Sequence, residues 1–271
     1  MAYKEILAYA EARAASQSCL DVAARLSAAH GAHLVALHVI EPPVLPGDGG
    51  FGMSAELIEW QQQYAQKRAE EAKRYVAGAE QRSGQTIEWR APDGELVSTA
   101  LLHSRYADLV VVSQADDEAQ ADLPEIFVMG SGRPTLVVPH DGKFTKPIEH
   151  VLVAWNRTRE ATRALHDALP ILIAAKAVTV MEVKSENGHA RHIAGADIGQ
   201  HLARHGVKVN VSSTVAGDID VGNVILSRAA DFGADCIVMG AYGHSRMREF
   251  VFGGATRQIL ASMTVPVFMV H

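Results

Sequence analysis

The feature that most restricts the fold of this 271-residue chain is that one pattern of short apolar runs and longer amphipathic stretches occurs in it twice. The runs Glu5 to Tyr9, His33 to Val39, Thr86 to Trp89, Asp108 to Val112 and Thr135 to Val138 read as strands. A second set follows: Val151 to Trp155, Val178 to Val183, Lys208 to Val211, Cys236 to Met239 and Val267 to Val270. Segments such as LVVV and CIVM show no polar alternation, which fits parallel strands covered by helices on both faces. The copies also match in wording: ILAYAEARAAS resembles VLVAWNRTREA, with Tyr9 set opposite Trp155 and Ala10 opposite Asn156. ADLVVVS resembles ADCIVMG, and RPTLVVPH resembles TVPVFMVH, with Pro134 opposite Pro266. Two copies of one βα domain follow, residues 1–143 and 144–271, joined through the polar stretch His140 to Lys146 that ends at Pro147.

With 48% apolar residues the chain can bury a sizeable core, and a net charge of −6 without any basic block argues against a nucleic-acid surface. Cys19 and Cys236 lie in unrelated contexts, so a reducing, cytoplasmic setting is the simplest expectation. No apolar run approaches the roughly 18 residues of a membrane helix, and the N-terminus has no basic leader ahead of a long apolar segment. Leu57, Trp60, Tyr64, Ala72, Tyr75 and Ala79 recur at helical spacing after Ser54, a fitting N-cap. That aromatic stripe is expected in the core.

The stretch GAYGHSRMREFVFGGATRQIL holds most of the chemistry. Gly240 and Gly243 follow the strand CIVM, and Gly253 and Gly254 directly precede a helix. A strand feeding a glycine-rich loop and then a helix N-terminus aims backbone N–H groups at an anion. His244, Arg246 and Arg248 add donors. From spacing alone the glycines equally serve as plain turns.

This G-x2-G-x9-G pattern, with the final strand VPVFMV, resembles the nucleotide-binding signature of the universal stress protein family, and the resemblance covers nearly the whole chain. It implies two tandem Rossmann-like α/β domains. Each is a five-stranded parallel sheet of order 3-2-1-4-5 with helices on both faces, the last strands pairing antiparallel across a two-fold axis. It also implies ATP or a related nucleotide at the second domain, with Mg2+ only as companion to the nucleotide. Nucleotide-binding members carry Ser or Thr after the third glycine; here Gly254 stands there, with Thr256 the nearest hydroxyl. An Asp expected after the first strand is replaced by Asn156, with Thr158 in the following hydroxyl place, although Thr158 also reads as the N-cap of the next helix. Trp155 either stacks on a base or blocks the space. The resemblance implies stress adaptation by sensing or partner binding, self-association and no efficient catalysis. The alternatives are a nucleotide-free interaction module and a slow ATPase.

The first copy departs further. Its loop is about five residues shorter, and Asp116, Asp117, Glu118 and Asp122 replace the glycine-rich run, a charge pattern that repels phosphate. Any nucleotide is therefore expected only in the second domain. Other motifs are weaker. Gly47, Gly49 and Gly52 follow prolines rather than a strand, and His189 with His192 and His201 with His205 lack convincing partner ligands, so exposed histidines are expected. No G-x-S-x-G, H-E-x-x-H or G-x4-G-K-[ST] occurs.

Overall fold

The computed structural model describes residues 2–43, 55–115, 123–184, 196–216, 219–243 and 254–271. In the first half β1 (Glu5–Tyr9), α1 (Ala15–His30), β2 (His33–Leu37), α2 (Ala55–Ser83) and β3 (Glu88–Arg90) are followed by α3 (Leu96–Ser104), β4 (Leu109–Ser113), α4 (Leu123–Gly130) and β5 (Thr135–Val138). The second half runs β6 (His150–Ala154), α5 (Arg159–Asp167), α6 (Leu169–Ala174), β7 (Ala177–Lys184), α7 (Ala196–Arg204) and β8 (Val209–Val215). It ends with α8 (Val221–Asp231), β9 (Cys236–Gly240), α9 (Gly254–Ser262) and β10 (Val267–Val270).

The ten described strands form one sheet, ordered β3-β2-β1-β4-β5-β10-β9-β6-β7-β8. Within each half the pairings are parallel, and the halves meet where β10 runs antiparallel to β5, with Phe268 opposite Leu136. Alternate residues of a strand feed opposite apolar layers: Ile6 and Val151 lie in one, Leu7 and Leu152 in the other. Both layers cross the junction, since Phe268 packs with Leu136 on one face and Val267 with Val137 on the other. The edges that each half would otherwise expose are thereby paired. Polar ties reinforce the joint: Tyr3 Oη donates to the Asp167 carbonyl at 2.8 Å, and Gln114 Nε2 to the Leu260 carbonyl at 2.6 Å. The link between β5 and β6 is strapped to α1, where Ser18 Oγ donates to the Gly142 carbonyl and Arg25 to that of Phe144.

The repeat is kept down to its caps. Asp108 accepts from the N–H groups of Lys4 and Glu5 at the start of β1, and Asp235 from those of Glu149 and His150 at the start of β6. Pro134 and Pro266 offer equivalent carbonyls to Val110 and Ile237. The same register corrects one reading of the repeat. Ile6 pairs with Leu109 as Val151 pairs with Cys236, so Ala10 lies opposite Trp155 and Glu11 opposite Asn156. The shift arose because both strands leave their apolar runs with an aromatic, one residue apart.

The aromatic stripe is corrected too. Leu57, Trp60 and Tyr64 are 43, 59 and 50% exposed, and burial along α2 begins only at Ala69. A 29-residue helix is about 43 Å long at 1.5 Å per residue, whereas the five-residue strands beneath it span about 17 Å, so its first turns run beyond the sheet. Trp60 and Tyr64 stack on each other there, with centroids 5.5 Å apart. Both cysteines are buried and unbridged. Ser54, Gly47, Gly49 and Gly52 lie outside the described residues. No described helix is long and apolar enough to cross a membrane.

Candidate functional site

Open parallel sheets present a crevice at the carboxyl ends of their strands where the order reverses, and here that place is the end of β6 beside β9, with its counterpart at β1 and β4. In the second half the chain leaves β6 through Trp155, whose N–H still donates to the Met181 carbonyl, and turns at Arg157, left-handed at φ 62°. Asn156 Oδ1 accepts from the Thr158 N–H at 3.2 Å and from its hydroxyl at 2.8 Å. Thr158 Oγ1 in turn accepts from the Ala161 N–H at 3.2 Å, which makes it the N-cap of α5. Asn156 is exposed, and with its carbonyl oxygen engaged its side-chain N–H2 is the outward donor. Trp155 is half-buried against the apolar layer that holds Leu165, and Arg157 pairs with Glu182 at 3.2 Å.

Gly240, the last residue of β9, owes its identity to close approach: a Cβ there would stand 2.4 Å from the Ala161 nitrogen and 2.6 Å from the Glu160 carbonyl carbon. Gly243 is also crowded, its would-be Cβ 2.8 Å from Glu160 Oε2 and 3.3 Å from Thr158 Oγ1. Neither glycine has positive φ; Tyr242 between them does, at 55°. The loop thus needs glycine for room and takes its left-handed turn at a tyrosine. Gly254 opens α9, whose first turn holds no acid, although Asp220 Oδ2 lies 3.7 Å from where its Cβ would be. Thr256 is buried, and its hydroxyl accepts from the Tyr242 N–H at 3.4 Å, tying the turn to α9. Arg246, Gly253, His244 and Arg248 lie outside the described residues.

Sequence reasoning missed Glu160. Only 6% exposed, it lies between Gly240 and Gly243, and its Oε1 accepts from Arg159 Nε at 3.0 Å. Burial pushes its carboxyl upward, but its own backbone N–H and Arg159 outweigh that and hold it below the usual range. The available signal was an acid in the first turn after a threonine cap. The Asn156–Thr158 cap, Gly240 and Gly243 therefore meet around one carboxylate, Thr256 is tied to that turn through the Tyr242 N–H, and Gly254 stands beside Asp220 instead.

The first-half crevice is built differently. Glu11, opposite Asn156, is 3% exposed, and its Oε2 meets Arg13 Nη2 at 2.7 Å. That guanidinium also donates to the Gln114 carbonyl at 3.0 Å, just beyond β4, and the Glu11 N–H donates to Ser16 Oγ. His38 Nδ1 lies 2.7 Å from the Ala10 carbonyl. A buried ion pair of the protein thus occupies the ends of β1 and β4. Asp116, Asp117, Glu118 and Asp122 lie outside the described residues.

Fold and crevices define a tandem Rossmann-like α/β protein whose two copies have diverged at the same place. A model of the universal stress protein family matches residues 2–131 and again 147–271. The chain belongs to the universal stress protein family. It is 25% identical to the universal stress protein Slr1230 of Synechocystis sp., over 97% of this chain and 98% of that protein. In fold it is similar to a universal stress protein of Archaeoglobus fulgidus DSM 4304, with a TM-score of 0.73 at 17% identity, covering 98% of this chain and 95% of the other. A putative universal stress protein of Pseudomonas aeruginosa UCBPP-PA14 aligns with a TM-score of 0.56 at 14% identity, over 99 and 93% of the two chains.

A nucleotide of the kind the family resemblance implies fits the second half in part. Asn156 would face ribose or base with its N–H2, and the Gly254 end of α9 would face phosphate with backbone N–H groups. Glu160 would oppose a phosphate there, and Thr256 already uses its hydroxyl within the protein.

Proposed function

We propose that this stress protein works by binding, holding one nucleotide of the ATP class in its second half and none in its first, with Mg2+ only as the nucleotide's companion. The bound state is read by a partner protein or by a second copy of the chain. The observation that supports this reading is the contrast at one register position. The first crevice holds the buried pair Glu11–Arg13, whereas the second holds exposed, neutral Asn156 beside Thr158. A ligand at the first must displace an ion pair whose separation is costly, whereas at the second Asn156 offers its side-chain N–H2 without an ion pair of its own being broken. The rival, a nucleotide-free interaction module, is favoured by Glu160 beside Gly243 and by the missing hydroxyl at Gly254.

Mass spectrometry of ligand extracted from freshly purified protein, with calorimetry using MgATP, tests the reading. One site per chain is expected. Gly243→Val should weaken it strongly, since the added carbons meet Glu160 and the Thr158 cap. The first-half control is Ala12→Val, because Ala10 is fully buried and a larger side chain there would strain the core. Two equivalent sites, or equal losses from both changes, refute the asymmetry, and no binding to the parent establishes the rival. Turnover assays on contaminant-free protein distinguish a slow ATPase from a binder.

A further inference from the structure

At the opposite end of α5 from Gly240 and Gly243, histidines from two helices meet. His166, in the last turn of α5, and His201, in α7, bring their Nε2 atoms to 3.2 Å with ring centroids 5.0 Å apart. His205, four residues beyond His201, places its ring 4.7 Å from that of His201 and edge-on to it. His166 Nδ1 lies 2.8 Å from the Thr162 carbonyl, an oxygen that only accepts. Nδ1 therefore carries the proton, and Nε2 of neutral His166 presents its lone pair to His201. Fixing the outer nitrogen of an imidazole on a backbone carbonyl is how proteins set a histidine to ligate a metal.

From this pair we propose a site for a divalent transition-metal ion of the zinc class, held by Nε2 of His166 and of His201, with His205 and water completing the shell. In the metal-free state the His201 Nε2–H fills the 3.2 Å gap by donating to His166. Two nitrogens each about 2.0–2.1 Å from a tetrahedral zinc are about 3.3–3.4 Å apart, so the pair already stands close to ligating separation; on binding, the His201 proton moves from Nε2 to Nδ1, which frees the Nε2 lone pair for the metal, and the rings turn to aim at it. Imidazole ligands select zinc, nickel or copper over magnesium or calcium. Among the described residues no three histidine, cysteine or acidic side chains already stand around one point. His205 is exposed and joins by turning about its own side-chain bonds. Bound metal would pin α5 to α7, and α5 carries at its other end the Thr158 cap of the candidate crevice.

The test is titration of the untagged full-length chain with Zn2+ against a chromophoric chelator. One equivalent is expected to bind, with His166→Ala and His201→Ala each weakening it at least about tenfold, as loss of one ligand from a small shell does. The double variant should lose the site and His205→Ala should show a smaller loss, while His33→Ala, an exposed histidine paired with Glu88, should bind as the parent does. The helical circular dichroism of each variant, unchanged because these side chains lie at the surface, shows that the fold is intact. A double variant that still binds one equivalent with parental affinity, or a parent that binds no zinc at about 100 µM, overturns the proposal.

Discussion

Replacing Gly240 by alanine tests how the second-half crevice is held together. The new Cβ would lie 2.4 Å from the Ala161 nitrogen, about 1 Å short of the 3.4 Å at which ordinary contact begins, and 2.6 Å from the Glu160 carbonyl carbon. Both are backbone atoms in the first turn of α5, so no side-chain rotation gives relief. Gly240 cannot retreat, because β9 is clamped between β6 and β10. Helix α5 must therefore move outward, loosening Ala161, Ala164 and Leu165, all buried. Overpacking of a core costs about 1–3 kcal/mol, and a backbone-to-backbone clash belongs at the upper end, about 2–3 kcal/mol. In a chain of this size that lowers Tm by about 4–12 °C. The comparison is Gly243→Ala, whose worst contact at 2.8 Å is the carboxylate tip of Glu160 and swings aside, for an expected cost below about 1 kcal/mol. Urea unfolding followed by circular dichroism measures both. If Gly240→Ala unfolds within about 0.5 kcal/mol of the parent, or loses no more stability than Gly243→Ala does, close approach is not what fixes glycine at 240. The register supplies a natural contrast, since Ser113 of β4 occupies the equivalent position with a side chain.

Arg13→Met should destabilise the first half by about 2–4 kcal/mol in urea, because it takes the 2.7 Å partner from a carboxylate only 4% exposed; a loss under about 0.5 kcal/mol would show that the pair is not structural. His38 is buried between the rings of Tyr9 and Trp89, and burial lowers its pKa. The unfolded chain therefore binds the extra proton first, so this residue's stabilisation is complete above the unfolded value of about 6.5 and declines as pH falls below it. Stability measured from pH 8 to 5 should drop less steeply in His38→Asn than in the parent, and parallel curves would reject the assignment. Light scattering at micromolar concentration should give at least the dimer mass; a monomer alone would show that the β5–β10 pairing within the chain satisfies the family's need for a partner edge.

The repeated apolar runs made the fold legible, because strands buried on both faces must be continuously apolar and their spacing must leave room for crossover helices. The antiparallel junction of β5 and β10 followed from the family resemblance together with two unpaired edges. Thr158 was readable as a cap because its hydroxyl bonds only locally. Glu160 was not, since what sets its role is the distance to Gly240 and Gly243, some eighty residues away in sequence and adjacent only once β6 and β9 pair. Glu11 and Arg13 looked like ordinary surface charges after a strand. Their burial, and the register that places Glu11 opposite Asn156, depend on where β4 and Gln114 come to rest. The exposed turns of α2 and the meeting of His166 with His201 have the same origin: local sequence sets the periodicity of a helix, while the length of the sheet beneath it and the neighbour across from it are tertiary facts. The sequence by itself determined the two α/β copies and the likeness of their strands. Only the tertiary structure decided which charges stand in each crevice, because electrostatic contact depends on separation in space and not along the chain.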